Sequence, residues 1–247
     1  MASSRAEKLL GKVAVITGGS RGIGKAIALA YVGAGAHVFI CGRNAQDVER
    51  SIGEIRRNGG QIDGCAGDIG SAADVQRVAQ AAIARFGTID VLVNNASILG
   101  PRASIADYSM AAWEEVIRVN LSGVFLMIHE VLPIMLAKRF GSIINVSSGV
   151  GRRGKAQWGA YAVSKGGLEL LTQVLADELK DAGVRVNAVN PAATRTAMRA
   201  TAYPAEDPDT LPSPEQIVPV FLYLASDESV AISGQSLDAR DWIGRND

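Results

Sequence analysis

The sequence predicts an α/β fold: a single doubly wound parallel sheet with helices on both faces. Three observations predict it. Strand-like and helix-like segments alternate along most of the 247 residues. The strand segments are unbroken apolar runs, the pattern of strands buried on both faces. A glycine-rich turn joins the first of these strands to the first helix.

Taken in order, residues 13–17 (VAVIT) form the first apolar run, and 22–35 (GIGKAIALAYVGAG) form a helix that closes on glycines. The run 37–41 (HVFIC) follows, then a polar amphipathic helix over 45–58. Residues 61–67 (QIDGCAG) precede a helix over 72–86, and 90–96 (DVLVNNA) precede a long helical region over 107–138. Residues 142–148 (SIINVSS) lead to a helix that carries Tyr161 and runs to about residue 182, and 184–190 (VRVNAVN) is the last clear strand. Right-handed crossovers between such strands give a doubly wound sheet. No linker or internal repeat divides the chain, so residues 1–247 are read as one domain. Its first ten residues are expected to be flexible, and the Pro-rich stretch 202–216 to be a surface loop.

Composition narrows the function. The 25 basic and 25 acidic residues cancel, and no basic run is present, so nothing points to nucleic acid as a partner. The two histidines belong to no Cys/His/carboxylate cluster, so no metal site is expected. Cys41 and Cys65 lack metal-type spacing and read as buried, reduced thiols. The N-terminus lacks an apolar signal core, and the run 123–136 reads as too short and too polar to span a membrane, so a cytoplasmic protein is expected.

The glycine turn, TGGSRGIG over residues 17–24, spaces Gly18, Gly22 and Gly24 as G-x-x-x-G-x-G. Placed between a strand and a helix, such a turn lets the backbone approach a pyrophosphate resting on the positive end of the helix. An acid at the tip of the second strand would bind the ribose 2′-hydroxyl of NAD. Here the tip reads ICGRN, with Arg43 and no acid. Arg43 and Arg21 both suit a 2′-phosphate, so NADP(H) is expected over NAD(H).

Tyr161 and Lys165 stand four residues apart at the start of a helix, so they share a face. A phenol titrates near pH 10 in water. A neighbouring cation favours its anion, which would bring it toward proton exchange near neutrality. A tyrosine stacked on a surface lysine would need no function, so the pair depends on its context.

That context resembles the short-chain dehydrogenase/reductase family, and within it the 3-oxoacyl-[acyl-carrier-protein] reductases. The resemblance runs from about residue 12 to 238. It rests on TGGSRGIG, GDI (67–69), NNAS (94–97), Asn120 in RVNLSG, NVSS (145–148), YAVSK (161–165) and NPAAT (190–194), all in family order. It implies a Rossmann fold and a set of roles. Tyr161 matches the acid/base. Lys165 matches the lysine that lowers the tyrosine pKa and binds the nicotinamide ribose. Ser148, thirteen residues before Tyr161, matches the serine that holds the substrate oxygen. Asn120 matches an asparagine that props a helix open and holds a relay water. For the cofactor, the glycine turn contributes Gly18, Ser20, Arg21, Gly22, Ile23 and Gly24. Asp68 and Ile69 match adenine contacts, and Asn94 and Ala96 match the end of the fourth strand. Pro191, Thr194 and Thr196 match the loop at the nicotinamide and phosphates. Relatives form tetramers or dimers, so a homo-oligomer is implied.

The expected activity is hydride transfer between NADP(H) and a carbonyl or secondary alcohol, with a ketone or 3-oxoacyl chain as substrate. The loop 195–214, with Met198 and Tyr203, is the expected lid. Two other readings remain: an NAD-dependent alcohol dehydrogenase, and a cofactor-binding scaffold with little activity. Three departures from the family stand out: Ser97 and Ala192 replace glycines, and GQSLDARDWIG stands where a DGG is common.

Overall fold

The computed structural model describes residues 8–57 and 59–245. Seven parallel strands form one sheet in the order β3-β2-β1-β4-β5-β6-β7. They are β1 (Val13–Thr17), β2 (His37–Gly42), β3 (Ile62–Ala66), β4 (Val91–Asn94), β5 (Gly141–Val146), β6 (Val184–Asn190) and β7 (Ser236–Asp238). The helices between them are α1 (Gly22–Gly33), α2 (Ala45–Arg57), α3 (Ala72–Phe86), α4 (Met110–Ile117), α5 (Gly123–Lys138), α6 (Gly149–Arg152), α7 (Gly159–Glu178), α8 (Ala197–Ala202) and α9 (Pro219–Ala225).

Successive side chains of a strand point to opposite faces, so each apolar strand feeds two cores. Ala14 and Ile16 of β1 face one cluster with Val38 and Ile40, covered by Ile27 and Tyr31 of α1 and by Phe221 and Leu224 of α9. Val15 and Phe39 face the other with Leu92 and Ile143, covered by Val75 of α3, Met127 and Val131 of α5, and Leu168 of α7. The sheet order reverses between β1 and β4, so the crevice at their C-terminal tips lies at the switch point of the sheet.

Several expectations change. The core starts earlier than expected: Leu9 is fully buried and its amide donates to Ala34, while residues 1–7 and 58 lie outside the described residues. The long helix starts at Met110, capped by Ser109, and residues Arg118–Ser122 widen into a π turn between α4 and α5. The stretch Met110–Lys138 holds an 18-residue window of mean hydropathy 1.7 and is long and apolar enough to cross a membrane by length and composition, which the run 123–136 alone does not reveal. Its residues Val119, Val124, Met127, Ile128, Val131 and Met135 instead pack against the sheet as a core helix. Cys41 and Cys65 are register partners on β2 and β3; both are free thiols, and Cys65 is only half-buried. α9 and β7 were not foreseen: α9 is a short apolar run that strand and helix patterns share, and β7 has three residues.

Candidate active site

The tips of the strands open into a crevice of about 550 Å³. The glycine turn forms its floor. Gly22 has φ +53° and faces open space, with Thr196 across the gap as its nearest neighbour at 3.8 Å, so the backbone there is bare to a ligand. Gly24 does a different job: a side chain on it would strike the Gly18 carbonyl at 2.2 Å, so it fixes the packing of the turn and stays out of the crevice. Arg21, the N-cap of α1, makes no side-chain cap, which leaves the first amides of the helix free for an anion. Ser20, Arg21 and Ile23 line the crevice beside Gly18 and Gly22.

The second strand delivers Gly42 and Arg43 to the same crevice, with Arg43 exposed. Asp68 and Ile69 form the next wall. Asp68 is already engaged. Its Oδ1 accepts the Gly70 amide and its Oδ2 accepts Arg118, both at 2.9 Å. Burial alone would raise its pKa, but these hydrogen bonds outweigh it and hold the carboxyl below its usual range.

At the end of β4 the neighbouring asparagines divide. Asn94 is buried, donates to Asn145 at 2.9 Å and does not line the crevice. Asn95 does line it. Its side chain grips the carbonyls of Thr17 and Gly18, tying β4 to the glycine turn. Asn94, which the family motif singles out, thus stands behind the crevice, while Asn95, one residue past the end of β4, forms part of its wall. Ala96 lines the crevice as expected.

The reacting end is built by β5, α6 and α7. Ser148 caps α6 in extended conformation and spends no side-chain bond on the cap, so its hydroxyl is available to the crevice. Ser147 is buried with an unpartnered hydroxyl. Tyr161 and Lys165 both line the crevice from one face of α7, and the Lys165 ammonium lies 5.7 Å from the centre of the Tyr161 ring. The electrostatics differ from expectation. Burial pushes the Tyr161 phenol up to about 12, and a hydrogen bond with Ser148 offsets this only in part. Lys165 is turned to a backbone partner instead. Its ammonium donates to the Val146 carbonyl at 2.7 Å, and burial pulls it down to about 8, against an upward pull from Glu169. Desolvation is the dominant influence on both groups.

Asn120 sits in the π turn and is fully buried. It clamps the Ile98 backbone, accepting its amide at 2.8 Å and donating to its carbonyl at 2.9 Å. Its amide also reaches Ser164, whose hydroxyl donates to the Tyr161 carbonyl at 2.8 Å. Asn120 thus does not reach the crevice but fixes the turn that carries Tyr161. Pro191, Thr194 and Thr196 complete the far wall; Thr194 donates to Pro191, and Thr196 caps α8. Ala192 holds φ +56° there, a conformation glycine adopts freely.

Ile98, Leu99, Trp158 and Met198 make the opening beside Tyr161 apolar, and the charge of Arg199 is matched by a bidentate pair with Glu206 at 2.6 Å. Among the described residues, no group of three or more His, Cys, Asp or Glu side chains could hold a metal ion.

The glycine cradle and the uncapped helix start fit a nicotinamide dinucleotide. Comparison with known proteins points the same way. A family model described as short chain dehydrogenase matches residues 12–207. An oxidoreductase of Escherichia coli strain K12, YciK, is 36% identical over 237 residues, covering 93% of this chain and 92% of its own. The 3-oxoacyl-[acyl-carrier-protein] reductase FabG of Thermotoga maritima is 36% identical over 236 residues, covering 92% of this chain and 96% of its own. A crystal structure of a short chain dehydrogenase from Shigella flexneri 2a, complexed with NADP, superposes with TM-score 0.91 at 36% identity, covering 95% of this chain and 99% of that one.

Proposed function

The chain belongs to the short-chain dehydrogenase family, and from that premise we propose that this oxidoreductase transfers a hydride between NADP(H) and an uncharged ketone or 3-oxoacyl substrate. The observation that carries the reading is the meeting of Ser148, Tyr161 and Lys165 at one end of a crevice whose other end is the glycine cradle. The bound cofactor supplies the hydride in reduction and accepts it in the reverse direction.

This chain's own residues do the rest. Ser148 and Tyr161 hold the substrate oxygen by their hydroxyls. In reduction the Tyr161 phenol passes its proton to that oxygen as the carbon gains hydride, and solvent restores the phenol proton past Lys165. A phenol pushed up to about 12 is protonated at neutral pH and so carries the proton that carbonyl reduction needs. Asn120 acts through Ser164 and the Ile98 backbone to keep the Tyr161 turn in place. The apolar opening and the self-neutralised Arg199 favour a substrate without charge near the reacting carbon.

NADP(H) is chosen over NAD(H) because the tip of β2 offers Arg43 and no acid, while Asp68 is committed to Arg118 and Gly70. The NADP-bound Shigella flexneri relative supports this choice. Assembly into a dimer or tetramer is part of the proposal. Phe125 on α5 and Val163, Leu170 and Val174 on α7 are exposed by half or more and suit a second copy of the chain. A cytoplasmic location fits the two free thiols.

The test is titration with NADPH and NADH followed by NADPH consumption over a panel of 3-oxoacyl thioesters, simple ketones, steroids and sugars. Consumption of NADPH with a ketone or 3-oxoacyl thioester supports the reading. NADPH binding without turnover on any of them makes the protein a cofactor-binding scaffold, and tighter NADH binding makes it an NAD enzyme.

A further inference from the structure

Glu169 lies one turn beyond Lys165 on α7, so the two share a helix face. It is only 8% exposed, and its Oε1 has no hydrogen-bond partner. A carboxylate so placed calls for a cation to answer it. Arg152 on α6 approaches Oε1 at 3.5 Å, and Lys165 stands one turn away on the same buried helix face, where the Glu169 charge favours its ammonium. The backbone brings them together: a side chain on Gly151 would strike Lys165 at 2.7–2.9 Å, so α6 rests flush on α7 at that residue.

Arg152 is anchored from the other side. It donates to Ser236 at 2.7 Å and to Asp238 at 2.9 Å, and Asp238 also accepts from Asn190 at 2.6 Å. The β5 group that meets the Lys165 ammonium is the uncharged Val146 carbonyl. Tyr161 and Glu169 share its helix face, and through Glu169 it is linked to Arg152 and, behind Arg152, to Asp238.

We propose that Glu169 is a positioning residue for Lys165, its carboxylate holding the ammonium charged and seated on the Val146 carbonyl, with Arg152 and Asp238 setting how much of that negative charge the lysine feels. This rests on the function proposed above, because it assigns Lys165 a place in turnover. Removing the Glu169 charge lets burial discharge the lysine at lower pH. Removing the Arg152 charge strengthens the hold of Glu169 on the lysine and moves the titration the other way.

The test compares wild type, Glu169→Gln and Arg152→Gln by two readouts. The first is the pH profile of kcat for ketone reduction with NADPH. The alkaline limb moves to lower pH in Glu169→Gln, with kcat at pH 8.5 down about three- to tenfold and unchanged at pH 6.5; in Arg152→Gln the limb moves to higher pH. The second is the titration of Lys165 by NMR of the cofactor-free protein labelled at lysine Cε, assigned with Lys165→Arg, which needs no turnover. Its midpoint falls in Glu169→Gln and rises in Arg152→Gln. A Lys165 midpoint unchanged in both variants, or a loss of kcat equal at every pH, overturns the proposal. If Glu169→Gln does not fold, Arg152→Gln alone decides it: a midpoint that fails to rise overturns it. A wild type that titrates as expected but turns nothing over counts against the function and leaves the Glu169–Lys165 coupling supported.

Discussion

The Lys165 ammonium stands 5.7 Å from the centre of the Tyr161 ring, yet its hydrogen bond goes to the Val146 carbonyl. The two side chains share the face of α7 that their spacing demands, but burial dominates their chemistry. The phenol is driven up to about 12 and the ammonium down to about 8.

A buried lysine with a lowered pKa is a stability cost. Below pH 8 the folded state must keep a desolvated cation, while the unfolded chain holds the same proton without penalty. Between pH 8 and 10.5 the unfolded state binds more protons, so this part of stability rises with pH. Lys165→Met is therefore expected to raise unfolding stability at pH 7 by about 1–2 kcal/mol while abolishing turnover. Denaturant melts at pH 7 and pH 9.5 check it: the gain shrinks at the higher pH. A destabilised variant contradicts the burial argument.

Arg43 at the edge of the crevice is expected to select the cofactor. Arg43→Ala should weaken NADPH about ten- to hundredfold and leave NADH nearly unchanged, as loss of a charge-assisted phosphate contact requires. Fluorescence titration with both cofactors reads this. Equal losses for both would remove Arg43 from phosphate recognition.

Sequence patterns carried the sheet from β1 to β6 because buried parallel strands are continuous apolar runs, and they carried the Tyr161–Lys165 face because helix spacing is local. They could not show that Asn120 faces Ile98 and Ser164, since that depends on a π turn inside an apparently regular helix. Nor could they weigh burial against charge at Tyr161, because desolvation is set by residues such as Trp158 and Val116 that meet it only in the fold. The family motif points to Asn94, whereas the chain turns just after β4 and brings Asn95 to the crevice.

Ala192 carries a left-handed backbone at φ +56° beside the crevice, where its amide is held by the Asn190 side chain at 3.0 Å. Ala192→Gly relieves that strain at some cost in unfolded-chain entropy. The expected net gain is about 0.5–1 kcal/mol, or a Tm higher by about 1–4 °C, measured by calorimetry. An unchanged or lower Tm would mean the surrounding loop does not enforce that conformation.

Arg102 clasps the end of α8. Its guanidinium lies 4.5 Å from the Trp158 ring and 5.4 Å from the Tyr203 ring, and it donates to the Ala202 carbonyl at 3.1 Å and to Gln157 at 3.2 Å. Arg102→Ala is expected to loosen α8 and raise the KM for the carbonyl substrate several-fold, with a smaller change in NADPH affinity. A variant with unaltered KM would show that α8 is held without it.

The central claim is that the Tyr161 hydroxyl delivers the proton in carbonyl reduction. Single-turnover reduction by Tyr161→Phe, with NADPH binding measured in parallel, tests it most directly. The expected result is NADPH affinity within about threefold of wild type and a hydride-transfer rate lower by about a thousandfold or more. A rate within tenfold of wild type would contradict it and move the proton donor to another group.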